Sequence, residues 1–296
     1  MTARLVLLTM AVLIMLMWAA GICGDVPVGY ENLCVGSGPA GQDFDPGRQE
    51  LIPPEPAPSQ TDMVLARYNG LQPQQWGEAV SGVVYALDTC DKTLALTFDL
   101  CGGATQANGY DKELVGYLER AQIPATFFVS GTWIDAHPDQ FLHLAANGRF
   151  EIGNHGLEHS PLSINGRQVY GITGTDSLKA AIEEVDGNAS KIQQLTGRRP
   201  HFYRSGTNYY DDVAVAAVRE LGYVVVGYSV LGDAGATYNR EEVERALLRA
   251  KPGSVVIMHA NHPESGTAEG VMAAVPMLLA SGYHFVNLSE CTLLTD

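Results

Sequence analysis

The sequence predicts an α/β protein built on a parallel sheet, and three observations carry that prediction. From about residue 90 onward, short segments rich in Val, Ile, Phe and Tyr alternate with longer helix-like segments. The chain has 296 residues, ordinary for a barrel-sized unit with a large core. Polar residues of chemical interest fall just after the apolar segments, where α/β folds carry their chemistry.

Strands are expected at 93–98, 125–129, 149–152, 201–203, 223–228, 254–258 and 284–287. Most are apolar, as suits strands buried on both faces. Helices are expected at 111–121, 138–147, 176–195, 211–221, 240–250 and 268–281. Several close on glycine, as in Leu221-Gly222 and Ser281-Gly282. Seven strands alternating with helices imply a parallel barrel or a doubly wound sheet.

The N-terminal segment differs. Arg4 precedes an uncharged, mostly apolar run over 5–20, followed by the small residue Gly21. Residues 1–23 are therefore expected to be a signal peptide or an N-terminal anchor, the run being near the lower length limit for spanning a membrane. The rest is expected to be exported, periplasmic or secreted, with inner-membrane anchoring if the segment is retained. Residues 24–80, with Pro53-Pro54-Glu55-Pro56-Ala57-Pro58, are expected to form a linker or extended arm. Residues 81–296 form the expected folded domain.

The formal net charge of −15 argues against a nucleic-acid or anionic-membrane partner, because both require an excess of Lys and Arg. A neutral or cationic polymer is compatible with it. Export permits disulfides among Cys23, Cys34, Cys90, Cys101 and Cys291. An extended stretch from 91 to 98 spans roughly 26 Å, too far for Cys90 to reach Cys101. Cys90 belongs at the quiet end of the fold, with Cys34 or Cys291 as candidate partners, and Cys101 at the reactive end.

The most informative motif is Asn154-His155-Gly156-Leu157-Glu158-His159. Two imidazoles four residues apart, at a strand end, can grip one metal ion. Other strands end in Asp99-Leu100-Cys101, in Tyr203-Arg204-Ser205-Gly206-Thr207, in Gly232-Asp233 and in His259-Ala260-Asn261-His262. Singly, each has a bland explanation as a cap, an ion pair or a satisfied polar group. Together on one rim they rise above these explanations and mark a candidate functional site.

The order of these motifs resembles the polysaccharide deacetylases of carbohydrate esterase family 4, from about Cys90 to the C-terminus. The matching stretches are Leu94-Ala95-Leu96-Thr97-Phe98-Asp99, Ala125-Thr126-Phe127-Phe128-Val129, Glu151-Ile152-Gly153-Asn154-His155 through His159, Phe202-Tyr203-Arg204 and Val255-Val256-Ile257-Met258-His259. The resemblance implies a distorted (β/α)7 barrel and metal-dependent removal of acetyl groups from an envelope or extracellular polysaccharide. It implies Asp99 as catalytic base, Arg204 as its orienting partner, His259 as general acid, and His155 and His159 as ligands to Zn2+ or another divalent ion such as Co2+. Asp233 is assigned as the partner of His259, and a backbone N–H of Gly206 or Thr207 as an oxyanion donor.

The chain departs from the family pattern at Leu100, where a second Asp usually supplies the third metal ligand. Asp99 itself or the Cys101 thiolate can fill that role, or the metal is weak or missing. His262 is extra, as a further ligand or substrate contact. The other readings are a glycan-binding or scaffold protein on the same fold, and an amidohydrolase acting on a small amide.

Overall fold

In the computed structural model, residues 57–102 and 108–295 are described. The expected signal or anchor segment, Cys23, Cys34 and most of the proline-rich run lie outside them. Among the described residues no helix is long and apolar enough to cross a membrane.

The eight strands of the main sheet are β1 (Thr93–Leu100), β2 (Ala125–Val129), β3 (Phe150–Asn154), β4 (Phe202–Tyr203), β5 (Val224–Val225), β6 (Val230–Leu231), β7 (Val255–His259) and β8 (His284–Phe285). They lie in the order β6-β7-β1-β2-β3-β4-β5, with β8 beside the start of β1, and all pairs are parallel. This is a distorted (β/α)7 barrel formed by a curled parallel sheet. All seven expected strands are present. The segment expected as one strand at 223–228 instead stops at Val225, and the sheet resumes at β6. An N-terminal stretch explains the break. Val84 bridges to Val226 and Ala86 to Ser254, so this stretch bonds both β5's continuation and the residue before β7. Gly227 accommodates the Tyr85 ring, which a Cβ there would meet at 2.6 Å.

β1 is buried along its whole length, and its alternation sorts its side chains. Leu94, Leu96, Phe98 and Leu100 join the larger core, built with helices α2 (Lys112–Arg120), α3 (Gly131–Ala136), α4 (Pro138–Ala146), α7 (Arg240–Leu248) and α8 (Thr267–Ala280). Ala95 lies in a separate cluster with Phe128, Phe202 and Val255. Helices α5 (Leu178–Thr196) and α6 (Asp212–Glu220) cover the other flank.

The described part of the expected arm, 57–80, contains a docked helix, α1 (Gln60–Tyr68). Ser59 and Asp62 close a capping box at its start, and Val64 is buried against Ile182 and Ala217. Farther on, Trp76–Gly77 pairs antiparallel with Tyr210–Asp211. Leu65 and Tyr68 pack beside Val64, and Gln60, Arg67 and Tyr68 bond to Glu220, a set of contacts that the surrounding prolines obscure in the sequence.

Cys90 and Cys101 flank β1 at opposite ends, as the strand length requires. Of the two candidate partners for Cys90, Cys34 lies outside the described residues and Cys291 is not bonded to it: Cys90, Cys101 and Cys291 are free thiols. Cys291 packs against the inner apolar cluster while Cys90 is exposed to solvent.

Candidate active site

Apart from His262, the strand-end side chains singled out in the sequence meet where β1, β3, β4, β6 and β7 end. Because alternate residues of a strand share a face, Asp99 and Cys101 follow one face of β1 and Leu100 the other. Leu100 is fully buried in the outer core, so its position is taken up by packing.

Asp99 is almost wholly buried, and its Oδ1 accepts a hydrogen bond of 2.7 Å from Arg204 Nη1. Arg204 has no exposed surface. Its other donors reach the carbonyls of Val226 at 3.2 Å and Gly227 at 2.9 Å, and its guanidinium lies 4.2 Å from the Phe128 ring centroid. A buried ion pair whose remaining donors are satisfied is held in one geometry. The second carboxylate oxygen of Asp99 lies 3.6 Å from His155 Nε2.

His155 extends β3. Its Nδ1 donates to the Arg204 carbonyl at 3.0 Å, which keeps the lone pair on Nε2. That Nε2 lies 3.8 Å from Cys101 Sγ. The His159 ring packs edge-on to His155, with centroids 4.9 Å apart, and its Nε2 is buried without a hydrogen bond. One donor atom each from Cys101, His155 and His159 lies within 4.8 Å of the other two. One thiolate and two imidazoles with an orphaned nitrogen match the donor chemistry of a zinc-class ion. Burial opposes ionisation of Cys101, but the His159 charge and the neighbouring His155 and His259 imidazoles outweigh it and hold the thiol well below its usual range.

The loop between the two histidines is shaped by a carboxylate the sequence reading missed. Glu184 of α5 is buried and accepts the backbone N–H groups of Glu158 at 3.1 Å and Ser160 at 3.0 Å. His159 between them adopts φ +63°, unusual for a residue with a Cβ. Gly206 abuts the same residue: a Cβ there would come within 2.2 Å of the His159 carbonyl oxygen. This close approach leaves no room for a side chain at Gly206. A signal for Glu184 did exist, since it is a charged residue on the buried stripe Ala181, Val185, Asn188 of α5.

On the opposite side, Asp233 follows β6 and is fully buried. It accepts the backbone N–H of His259 at 2.6 Å, His259 Nδ1–H at 2.9 Å and the Thr267 hydroxyl at 3.0 Å. Burial disfavours the imidazolium, but the Asp233 charge and its hydrogen bond more than compensate, and His259 is held well above the usual histidine range. His262 instead turns to Glu264, at 2.9 Å, and is outside the Cys101, His155 and His159 group.

A cleft of about 500 Å3 opens over these groups. Asp99, Cys101, His159 and His259 line it, with Gly206 and Thr207 at one wall. Among the other lining residues are Glu78, Tyr170 and Tyr228, which were not singled out in the sequence. They come from the arm, a short hairpin and the segment between β5 and β6, and no local motif marks them.

Comparison with known proteins agrees with this architecture. Residues 86–226 match the family model for polysaccharide deacetylases. It is 23% identical over 252 residues to the peptidoglycan N-acetylmuramic acid deacetylase PdaA of Bacillus subtilis, covering 81% of this chain and 88% of the relative. The PdaA structure superimposes with a TM-score of 0.59 at 21% identity, over 80% of this chain and 90% of that one. A family 4 carbohydrate esterase pseudoenzyme from Bacillus anthracis also superimposes with a TM-score of 0.59, at 19% identity, over 73% of this chain and 69% of that one.

Proposed function

We propose that this chain is an exported, metal-dependent hydrolase that removes acetyl groups, from nitrogen in the first instance, from an envelope or extracellular polysaccharide. In this reading residues 1–23 direct export or anchoring, and the folded domain carries the reaction. One observation bears most of the weight: a Cys101, His155 and His159 donor set adjoins both an arginine-held carboxylate and a carboxylate-held imidazole.

Cys101 Sγ, His155 Nε2 and His159 Nε2 are the proposed holders of Zn2+ or a similar ion, with Asp99 Oδ2 near His155. Such an ion supplies Lewis acidity to the acetyl carbonyl and to a water molecule. Asp99, oriented by Arg204, takes the proton of the attacking water. His259, charged and aligned by Asp233, delivers a proton to the departing sugar nitrogen as the C–N bond breaks. Acetate and a free amine result. Gly206 and Thr207 lie along the wall where a backbone N–H can meet the oxyanion.

A second reading, glycan binding without turnover, draws support from Leu100 at the usual metal-ligand position and from the likeness to a pseudoenzyme. The test is acetate release from N-acetylated oligosaccharides and peptidoglycan by the purified protein, with its metal content measured. Stoichiometric metal and acetate release are expected. Protein that stays inert with added Zn2+ or Co2+ while still binding the oligosaccharide overturns hydrolysis in favour of binding. Turnover confined to small amides makes the protein an amidohydrolase.

A further inference from the structure

The cleft contains a second chemical feature, away from the histidines. Trp76–Gly77 is pinned to Tyr210–Asp211, and this pairing carries Glu78 to the cleft wall. The Glu78 carboxylate accepts the Tyr228 hydroxyl at 2.7 Å. Across from it, Tyr170 stands at the turn between Gln168–Val169 and Ile172–Thr173, 72% exposed and also lining the cleft.

Tyr170 is braced from behind. It meets Tyr209 edge-on at 5.7 Å, and Tyr209 in turn packs on Trp76 at 5.8 Å. Arg167 caps the row, 5.5 Å from the Trp76 ring centroid. Its contact with Tyr209, together with partial burial and the nearby Glu78, pushes the Tyr170 hydroxyl up to about 12, so it remains a neutral donor. Burial and the bond to Glu78 likewise raise Tyr228. The wall is therefore a carboxylate set between two neutral phenols, on a rigid aromatic base.

The described lining of the cleft includes the carboxylates of Glu78 and Asp99, the imidazoles of His159 and His259, and no Lys or Arg. Asp99 is already paired with Arg204 beneath the floor, whereas Glu78 is hydrogen-bonded to a neutral phenol. An acceptor of this kind favours a cationic donor and repels a carboxylate. Phenol faces suit the apolar face of a pyranose ring.

We propose that Glu78, Tyr170 and Tyr228 form a subsite for an ammonium-bearing sugar, a deacetylated amino-sugar unit adjacent to the acetylated one being cut. The proposal rests on the deacetylase reading for what lies beside the subsite. Each turnover creates one such ammonium group, so a chain that shifts along the cleft presents its own product to Glu78. Partly deacetylated polymer is then favoured, and units bearing a free carboxylate are disfavoured.

The experiment compares three oligomers of equal length: fully N-acetylated glucosamine, the same with one free amine, and one containing muramic acid with its free carboxylate. Binding is measured by calorimetry at low and high salt, and acetate release separately, on the full protein and on Glu78→Gln, which keeps an acceptor for Tyr228. The free-amine oligomer is expected to bind about tenfold more tightly than the fully acetylated one, the scale of one partly desolvated charge pair. Both high salt and Glu78→Gln should erase that ratio. Equal binding of the first two oligomers, or a preference that persists in Glu78→Gln, overturns the subsite. Amine preference without acetate release would retain the subsite and reject the hydrolase, so the two failures are distinguishable.

Discussion

His155 and His259 lie on the same rim, each following or ending a parallel strand, and each has its Nδ1 fixed by a hydrogen bond. The partners differ, and with them the chemistry. His155 Nδ1 faces a neutral acceptor, the Arg204 carbonyl, which fixes the ring. His259 faces the buried carboxylate of Asp233, which draws a proton onto it. In the proposed reaction one imidazole shares its Nε2 lone pair and the other gives a proton away, and the Nδ1 partner is one of the neighbours that sets them apart.

The sharpest way to break this comparison is to remove each ring. His259→Ala should lower kcat by about 100- to 10,000-fold, the usual range for a lost general acid, with metal content unchanged. His155→Ala should instead abolish stoichiometric metal binding, measured by elemental analysis. If either variant shows the other's phenotype, the division of roles is wrong.

Asp233→Asn tests the carboxylate itself. A raised histidine pKa means that the imidazolium is stabilised in the folded state. That stability is fully present below about pH 6.5, the unfolded value, and is lost as the pH rises through the higher folded value. In the variant, the alkaline limb of the kcat profile should move down toward the ordinary histidine range. The gain in unfolding stability at pH 6 relative to high pH should shrink with it. An unmoved limb would separate His259 from the profile.

Glu184→Gln acts on the other histidine pair through the backbone. Weaker acceptance of the Glu158 and Ser160 N–H groups should loosen His159 and reduce metal affinity by about 10- to 100-fold, as outer partners of metal ligands do. The His259 pH limb should stay in place. The smallest functional effect is expected from Leu100→Ala. Emptying a core position should cost about 2–5 kcal/mol of stability, read by denaturant unfolding, while metal affinity holds. A large loss of metal in this otherwise folded variant would return Leu100 to the site.

Much of this arrangement was legible along the chain. Each strand-end motif sat beside an apolar run long enough to mark it, so Asp99, His155, Arg204 and His259 could be placed on a rim before any coordinates. Asp233 was paired with His259 through the family resemblance, and only the structure shows their strands to be neighbours. The docking of 60–68 was hidden by the prolines around it, and the split at Val225 by an apolar run that continues through Tyr228. Glu184 and Glu78 are farther from any motif. One reaches the histidine loop from the middle of a helix, the other from a segment that looked like linker.

Sequence alone determined the alternation of strands and helices, the identity of the ligand-type residues and their common rim, because burial and strand period are local properties of the chain. Tertiary structure decided which carboxylate, carbonyl or thiol faces each imidazole, and that Glu78 and Tyr170 share the cleft. Hydrogen-bond partners and electrostatic neighbours come from distant parts of the chain, and no local periodicity encodes a contact that only the closed sheet brings together.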